Sequence, residues 1–249
     1  MSGHSKWHSI KHKKGAADAA RGKLFAVLIR QIEISARSGG GDPTSNATLR
    51  SMIQKARDNS LPVDTIQRAI KRGCGEEEGV IYEQVAYEGY AASGVAVIVQ
   101  ALTDNRNRTS AEIKNIFSRN GGSFAEPGAV SWQFERKGIV LVDKSADEDE
   151  LTLVAADAGA EDVQDVDDAW QVTTPPTDLH TVRTAIEEAG IKVKSSDLTM
   201  IPTTSVGLDD EGKAKSVLRL MDALEEHDDV EAVYANFDIP DSVLEAVSA

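Results

Sequence analysis

The chain of 249 residues holds one cysteine, Cys74, so it forms no internal disulfide. That usage fits a reducing compartment. Aromatic residues make up only 5%, which leaves Val, Ile, Leu and Ala to build the cores. No run approaches the roughly 18 apolar residues that span a bilayer. The longest, Val95 to Leu102, is strand-sized and interrupted by Gln100, so no membrane partner is expected. The N-terminus lacks the apolar stretch of a secretory signal. Residues 1–17 contain no acid, but they carry Lys and His, where a mitochondrial transit peptide is usually Arg-rich. The expected location is cytoplasmic.

The marks of catalysis are missing as well. There is no serine nucleophile elbow, no HExxH and no CxxC. Gly39-Gly40-Gly41 lacks the Lys-Ser/Thr ending and the preceding strand of a phosphate-binding loop. Cys74 lies in a basic, Gly-flanked spot with no His near it in sequence. Acids such as Asp147-Glu148-Asp149-Glu150 come in a run that suits a helix start. The expectation is a protein that is not an enzyme and needs no cofactor.

Charge of one sign is scarce in one part of the chain. Net charge is −14, yet residues 1–75 hold 14 Lys+Arg against 5 Asp+Glu, a net of +9. Residues 76–249 hold 13 against 36, a net of −23. Such asymmetry marks a basic arm with an affinity for phosphate, and an acidic remainder that repels it and confines contact to one end.

Periodicity predicts an α+β fold. Residues 1–15 show no helical apolar stripe and read as an extended arm. A helix follows over about 16–38, with Phe25, Leu28, Ile29 and Ile32 on one face. Lys23, Arg30 and Arg37 form a stripe nearly opposite, flanked by Val27 and Ile34. Shorter helices are predicted over about 46–58 and 62–72, with Arg68, Lys71 and Arg72 facing out. Strands are predicted over 80–88, 94–103 and 130–134, with a helix between the last two opened by a Thr109/Glu112 capping box. Residues 139–201 read as βαββαβ, the ferredoxin-like split unit. A helix over about 211–227 and a strand over 230–237 lack partners of their own. The simplest solution returns them to the 80–136 section. The predicted domains are therefore 1–79, a basic arm with three helices; 80–136 plus 204–240, a discontinuous α+β domain; 137–203, an acidic ferredoxin-like insertion; and 241–249, a tail.

The candidate nucleic-acid contacts begin in the arm. Lys6, Lys11, Lys13, Lys14, Arg21 and Lys23 fall within eighteen residues, opposed only by Asp18. Lysines on an extended segment suit phosphate, because counterion release rewards charge rather than exact geometry. The bland alternative is a solvated basic tail. Trp7 either stacks on a base or pins the arm to the helices. Arg30, Arg37, Lys71 and Arg72 extend the surface, and Arg106 and Arg108 are more distant candidates at a helix start, where a capped turn with solvated arginines is the alternative. His4, His8 and His12 are spaced four apart, but Gly3, the nearby lysines and the lack of a carboxylate or thiolate disfavour a metal. The insertion has RNA-recognition topology, but residues 138–203 hold 4 Lys+Arg against 15 Asp+Glu, and Trp170 is the one clear aromatic on its strands. That composition suits a protein contact or a spacer rather than RNA.

Several stretches together resemble the YebC/PmpR family, which includes bacterial proteins and the mitochondrial translational activator of cytochrome oxidase subunit one. They are Gly3-His4-Ser5-Lys6-Trp7, Ile10-Lys11-His12-Lys13-Lys14, Arg21-Gly22-Lys23, Gly39-Gly40-Gly41-Asp42-Pro43, Ala69-Ile70-Lys71-Arg72-Gly73, Tyr87-Glu88-Gly89-Tyr90, Thr103-Asp104-Asn105-Arg106-Asn107-Arg108-Thr109 and Asn120-Gly121-Gly122. His8-Ser9 departs from the family pattern of a small or polar pair without histidine. The resemblance implies a helical N-terminal domain and two α+β domains, the last inserted. It also implies a cytoplasmic protein, usually described as a DNA-binding transcriptional regulator; other members look like ribosome-acting translation factors. The expected partner is thus nucleic acid, either DNA or ribosomal RNA (or tRNA), with a protein partner for the acidic domains. A pure acidic protein adaptor is the rival class.

Overall fold

A computed structural model describes residues 17–77, 80–166 and 168–248. It is an α+β protein. The first layer is three helices, α1 (Ala17–Gly39), α2 (Ala47–Asp58) and α3 (Val63–Gly73). Leu28, Ile32 and Ala36 of α1 pack on Leu49, Ile53, Ile66 and Ala69 in one apolar cluster. Asn46 links two helices. Its side chain accepts from Leu49 N–H at 3.0 Å and donates to the carbonyls of Ser35 and Gly40 at 2.8 and 2.9 Å. It thus caps the start of α2 and the end of α1 together. Gly73 lets α3 approach α1: a Cβ there would sit 2.5 Å from the Glu33 carbonyl and 2.7 Å from Ala36 Cβ.

The middle sheet runs β3-β1-β2-β9, all antiparallel: β1 (Glu83–Tyr90), β2 (Ala96–Thr103), β3 (Ser123–Ala125) and β9 (Val230–Ala235). Its central strand β2 is buried at every residue but Gln100, as the continuous apolar run predicts. Between β2 and β3 lies α4 (Arg106–Arg119), capped by Asn105. Helix α7 (Glu211–Glu225) covers the same face, with Val217, Leu220, Met221 and Leu224 buried in the core.

The second sheet runs β5-β6-β4-β7, from β4 (Phe134–Asp143), β5 (Asp162–Val166), β6 (Ala169–Thr174) and β7 (Val193–Pro202). Helices α5 (Glu148–Asp157) and α6 (Leu179–Glu188) cover it and complete βαββαβ. Its first and last strands, β4 and β7, enter and leave side by side, with Phe134 opposite Pro202. A short parallel pair, β8 (Val206–Gly207) with β10 (Phe237–Asp238), follows.

Four local expectations change. Helix α4 opens at Arg106, where the Asn105 side chain accepts from Arg108 N–H, so the expected Thr109/Glu112 capping box lies inside the helix. Residues 131–133 form a 3-10 turn, not a strand. The third strand of the middle sheet is 123–125 instead. Residues 241–248, read as part of a tail, form α8 (Asp241–Ser248), whose Leu244 is buried in the middle core.

The turn has a clear cause. The Glu88 carboxylate, 8% exposed, accepts N–H groups from Gly128 at 2.8 Å, Val130 at 2.6 Å and Ser131 at 3.0 Å. Those donors are taken from any strand ladder. Burial pushes the Glu88 carboxyl up, but the three N–H groups outweigh it and hold it below its ordinary value. The loop fixed in this way carries Trp132 outward at 71% exposure, its Nε1–H donating to the Ala129 carbonyl.

Candidate nucleic-acid interface

The helical domain positions its cations in three ways. Some face solvent: Arg37 near the end of α1, Arg57 on α2, and Arg68 and Lys71 on α3. Others pair within the domain. Arg72 holds the buried Glu33 through Nε at 2.7 Å and Nη2 at 2.5 Å, beside the close crossing at Gly73.

The third group docks the helical domain on the middle one. Lys23 donates to the carbonyls of Glu225 and, at 2.6 Å, His227. Arg30 donates to the Asp228 carbonyl at 2.9 Å and lies 5.3 Å from the Tyr82 ring centroid. Those carbonyls end and follow α7, where the negative end of the helix dipole favours cations. The stripe read from heptad spacing is therefore divided: Lys23 and Arg30 join domains, and Arg37 is left to solvent.

Arg106 is exposed at the start of α4. Arg108 sits in a network instead. Its Nη2 contacts Asp229 at 2.7 Å and Asp104 at 3.0 Å. Thr109 Oγ1 donates to the same Asp229 at 2.7 Å. Burial pushes the Asp229 carboxyl up, and the Thr109 and Arg108 hydrogen bonds outweigh it and bring it below its ordinary value. Glu112, His227 and Asp229 place potential ligand atoms within 4.8 Å of one another. The hydrogen bonds argue against a metal there. Asp229 N–H donates to His227 Nδ1 at 3.1 Å, which assigns the neutral ring's proton to Nε2, facing Glu112 at 2.9 Å. The Arg108 guanidinium already supplies the positive charge.

Lys6, Trp7, Lys11, Lys13 and Lys14 lie outside the described residues, and so do the three arm histidines. The backbone of Arg21 is helical, and its side chain is also outside them. The described site is thus the outer surface of three helices, clamped to the rest of the chain at two places. One is the Lys23/Arg30 contact. The other joins α2 to the inserted domain: Arg183 on α6 holds Asp58 at 2.8 and 3.2 Å, and Lys55 meets Asp197 at 2.7 Å.

The comparisons with known proteins follow this division. A family model described as the TACO1/YebC protein N-terminal domain matches residues 5–76. One described as the TACO1/YebC second and third domain matches residues 82–237. The chain belongs to the TACO1/YebC family. Members similar to it include a "probable transcriptional regulatory protein" of Halothermothrix orenii, 54% identical over 251 residues and covering 100% of this chain and 99% of that one. Another, of the same description, is from Thermobifida fusca, 55% identical over 250 residues and covering all of both chains. The crystal structure of a conserved hypothetical protein from Aquifex aeolicus superposes with a TM-score of 0.82 at 45% identity, over 90% of this chain and 93% of that one. Among the described residues, no helix is long and apolar enough to cross a membrane.

The sequence reading passed over Arg57, Lys55 and Arg183. Arg183 carried a signal: it is one of only four Lys+Arg in residues 138–203, which hold 15 acids. A lone cation on the apolar side of an acidic domain is a pairing residue by default.

Proposed function

We propose that this chain regulates gene expression by holding a nucleic-acid backbone with its N-terminal basic segment. The observation that carries this reading is the charge division, +9 in residues 1–75 against −23 in the remainder. Phosphate backbones reward clustered Lys and Arg through counterion release. The arm lysines Lys6, Lys11, Lys13 and Lys14 supply most of the contact, with Trp7 to stack. The exposed Arg37 and Lys71 continue it. The acidic domains repel phosphate over most of their surface and offer that surface to a protein partner. Relatives described as probable transcriptional regulatory proteins favour DNA as the nucleic acid.

The test is affinity for a duplex as a function of salt. Replacing Lys11, Lys13 and Lys14 by Ala removes three phosphate contacts and is expected to flatten the slope of log K against log salt by about 2–3. Affinity that ignores salt would overturn the reading and favour the adaptor class.

One observation favours a second level of action. The exposed cations of the helical domain are spread over three helices, whereas a reader of the major groove concentrates its contacts on one. A ribosome-associated factor gripping structured RNA suits that spread. Comigration with ribosomal subunits in a sucrose gradient, lost when residues 1–15 are deleted, would place the protein there. Absence from ribosomes with tight binding to a promoter fragment would place it in transcription.

A further inference from the structure

Between the helical domain and the inserted domain lies a cleft of about 550 Å³, bounded by α2, α3, α6 and β7. That size suits a small ligand or one unit of a polymer. Its walls are tied by the Arg183–Asp58 and Lys55–Asp197 pairs. Arg183 also donates from Nε to Glu187 at 2.9 Å and from Nη1 to Ser196 Oγ at 2.7 Å. The cleft is thereby preformed, since widening it breaks both ion pairs. The two acids that line it, Glu187 and Asp197, are thus already matched with cations. Arg50 and Arg57 also line it, and the Arg57 side chain makes no ion pair or hydrogen bond with a described residue. The charge left over is positive, in a place where the most acidic domain of the chain forms one wall. Met52, Ile70 and Leu179 add an apolar side, and His180 lies at the start of α6.

We propose that this cleft seats one nucleotide of a single-stranded nucleic acid. The base rests against Met52, Ile70 and Leu179. The phosphate lies at Arg57, with Arg50 and His180 beside it. The inference rests on the nucleic-acid reading above and adds a strand specificity that the arm alone does not give. A double helix is too broad to enter. A single strand presents unstacked bases one at a time, and apolar contact with base faces plus cation contact with phosphate is the general chemistry of such sites.

The test uses the full chain and three labelled probes: a uridine dodecamer, a thymidine dodecamer and a twelve-base-pair duplex. Two variants perturb the cleft. Arg57→Glu reverses an exposed charge, and Thr184→Trp fills the cleft from α6 without changing charge. Both are expected to weaken single-strand binding about tenfold, and Thr184→Trp, which leaves the surface charge unchanged, is expected to weaken duplex binding less than twofold. A preference between the two dodecamers would separate RNA from DNA. Uridine monophosphate, followed by saturation-transfer NMR, is expected to give a signal with the wild type and with a chain lacking residues 1–15, and to lose it in both variants. Wild-type affinities in both variants, or equal weakening for duplex and single strand by Thr184→Trp, overturn the cleft while the arm's role stands. A wild type that binds none of the probes overturns both.

Discussion

Replacing Glu88 by Gln is expected to loosen the loop that separates the middle sheet from the insertion. Glu88 is nearly buried, and its two oxygens take three backbone N–H groups at 2.6 to 3.0 Å. A hydrogen bond to a charged group contributes about 1.5–3 kcal/mol, and such terms do not add fully. Glutamine retains one acceptor oxygen and turns its amide nitrogen toward donors, so at least one N–H loses its partner. A loss of about 2–4 kcal/mol at pH 7 follows from those values. The pH dependence has a definite sign. The folded carboxyl lies below its ordinary value of 4.5, so its contribution is complete above that pH and disappears as pH falls through the folded value. The gap between wild type and Glu88→Gln should be constant from pH 7 to 5 and narrow below 4.5. Urea unfolding at several pH values measures the gap. Amide exchange at Gly128, Val130 and Ser131 localises it. A gap under about 1 kcal/mol, or one that does not narrow in acid, would refute the reasoning.

Arg183→Met leaves Asp58 without its buried partner and should cost about 3–5 kcal/mol. Adding Asp58→Leu should recover most of that, and purely additive losses would show that the pair is not coupled. Glu231 titrates in the opposite sense to Glu88. Burial pushes it up to about 7, against the pull of Lys55 and a hydrogen bond from Gln84, and its Oε2 is buried without a hydrogen-bond partner among the described residues. The folded state therefore favours the protonated form, and stability falls as pH rises from about 4.5 to 7. Glu231→Gln should stabilise the chain above pH 7 and change little at pH 5, as read from thermal unfolding at the two values. Stabilisation equal at both would show that Glu231 is not the titrating group.

Much of this architecture was legible because it is local. The apolar run at Val95–Val99, the Asn120-Gly121-Gly122 stop and the βαββαβ order of 139–201 each depend on neighbours in sequence. The misread elements depend on distant ones. Val130 to Phe134 has strand composition, but a carboxylate forty residues upstream claims its N–H groups. β3 is three residues long, with a single large side chain, Phe124, and offers no alternation to detect. The stripe Lys23/Arg30/Arg37 was found by spacing. Its division was not legible, because the carbonyls that take Lys23 and Arg30 lie about two hundred residues away. For the same reason the cleft at Arg57 has no trace in any one segment, since its walls come from two domains.

The side-by-side entry and exit of the insertion bear on the entropy of closing the middle sheet. The ferredoxin-like unit contains all its strands between residues 134 and 202, so it is complete once those residues have left the ribosome. The middle sheet is not. Its strand β2 waits for β9, pairing Val97 with Ala235 across 138 residues. Until then one edge of Ala96-Val97-Ile98-Val99, the most apolar segment of the chain, has no neighbour, and unpaired apolar edges invite aggregation. Folding of the insertion brings Phe134 beside Pro202 and shortens the loop that remains to be closed, which lowers its entropic cost. In the folded chain the acidic domain is a clasp, its first and last strands holding the two halves of the middle domain side by side.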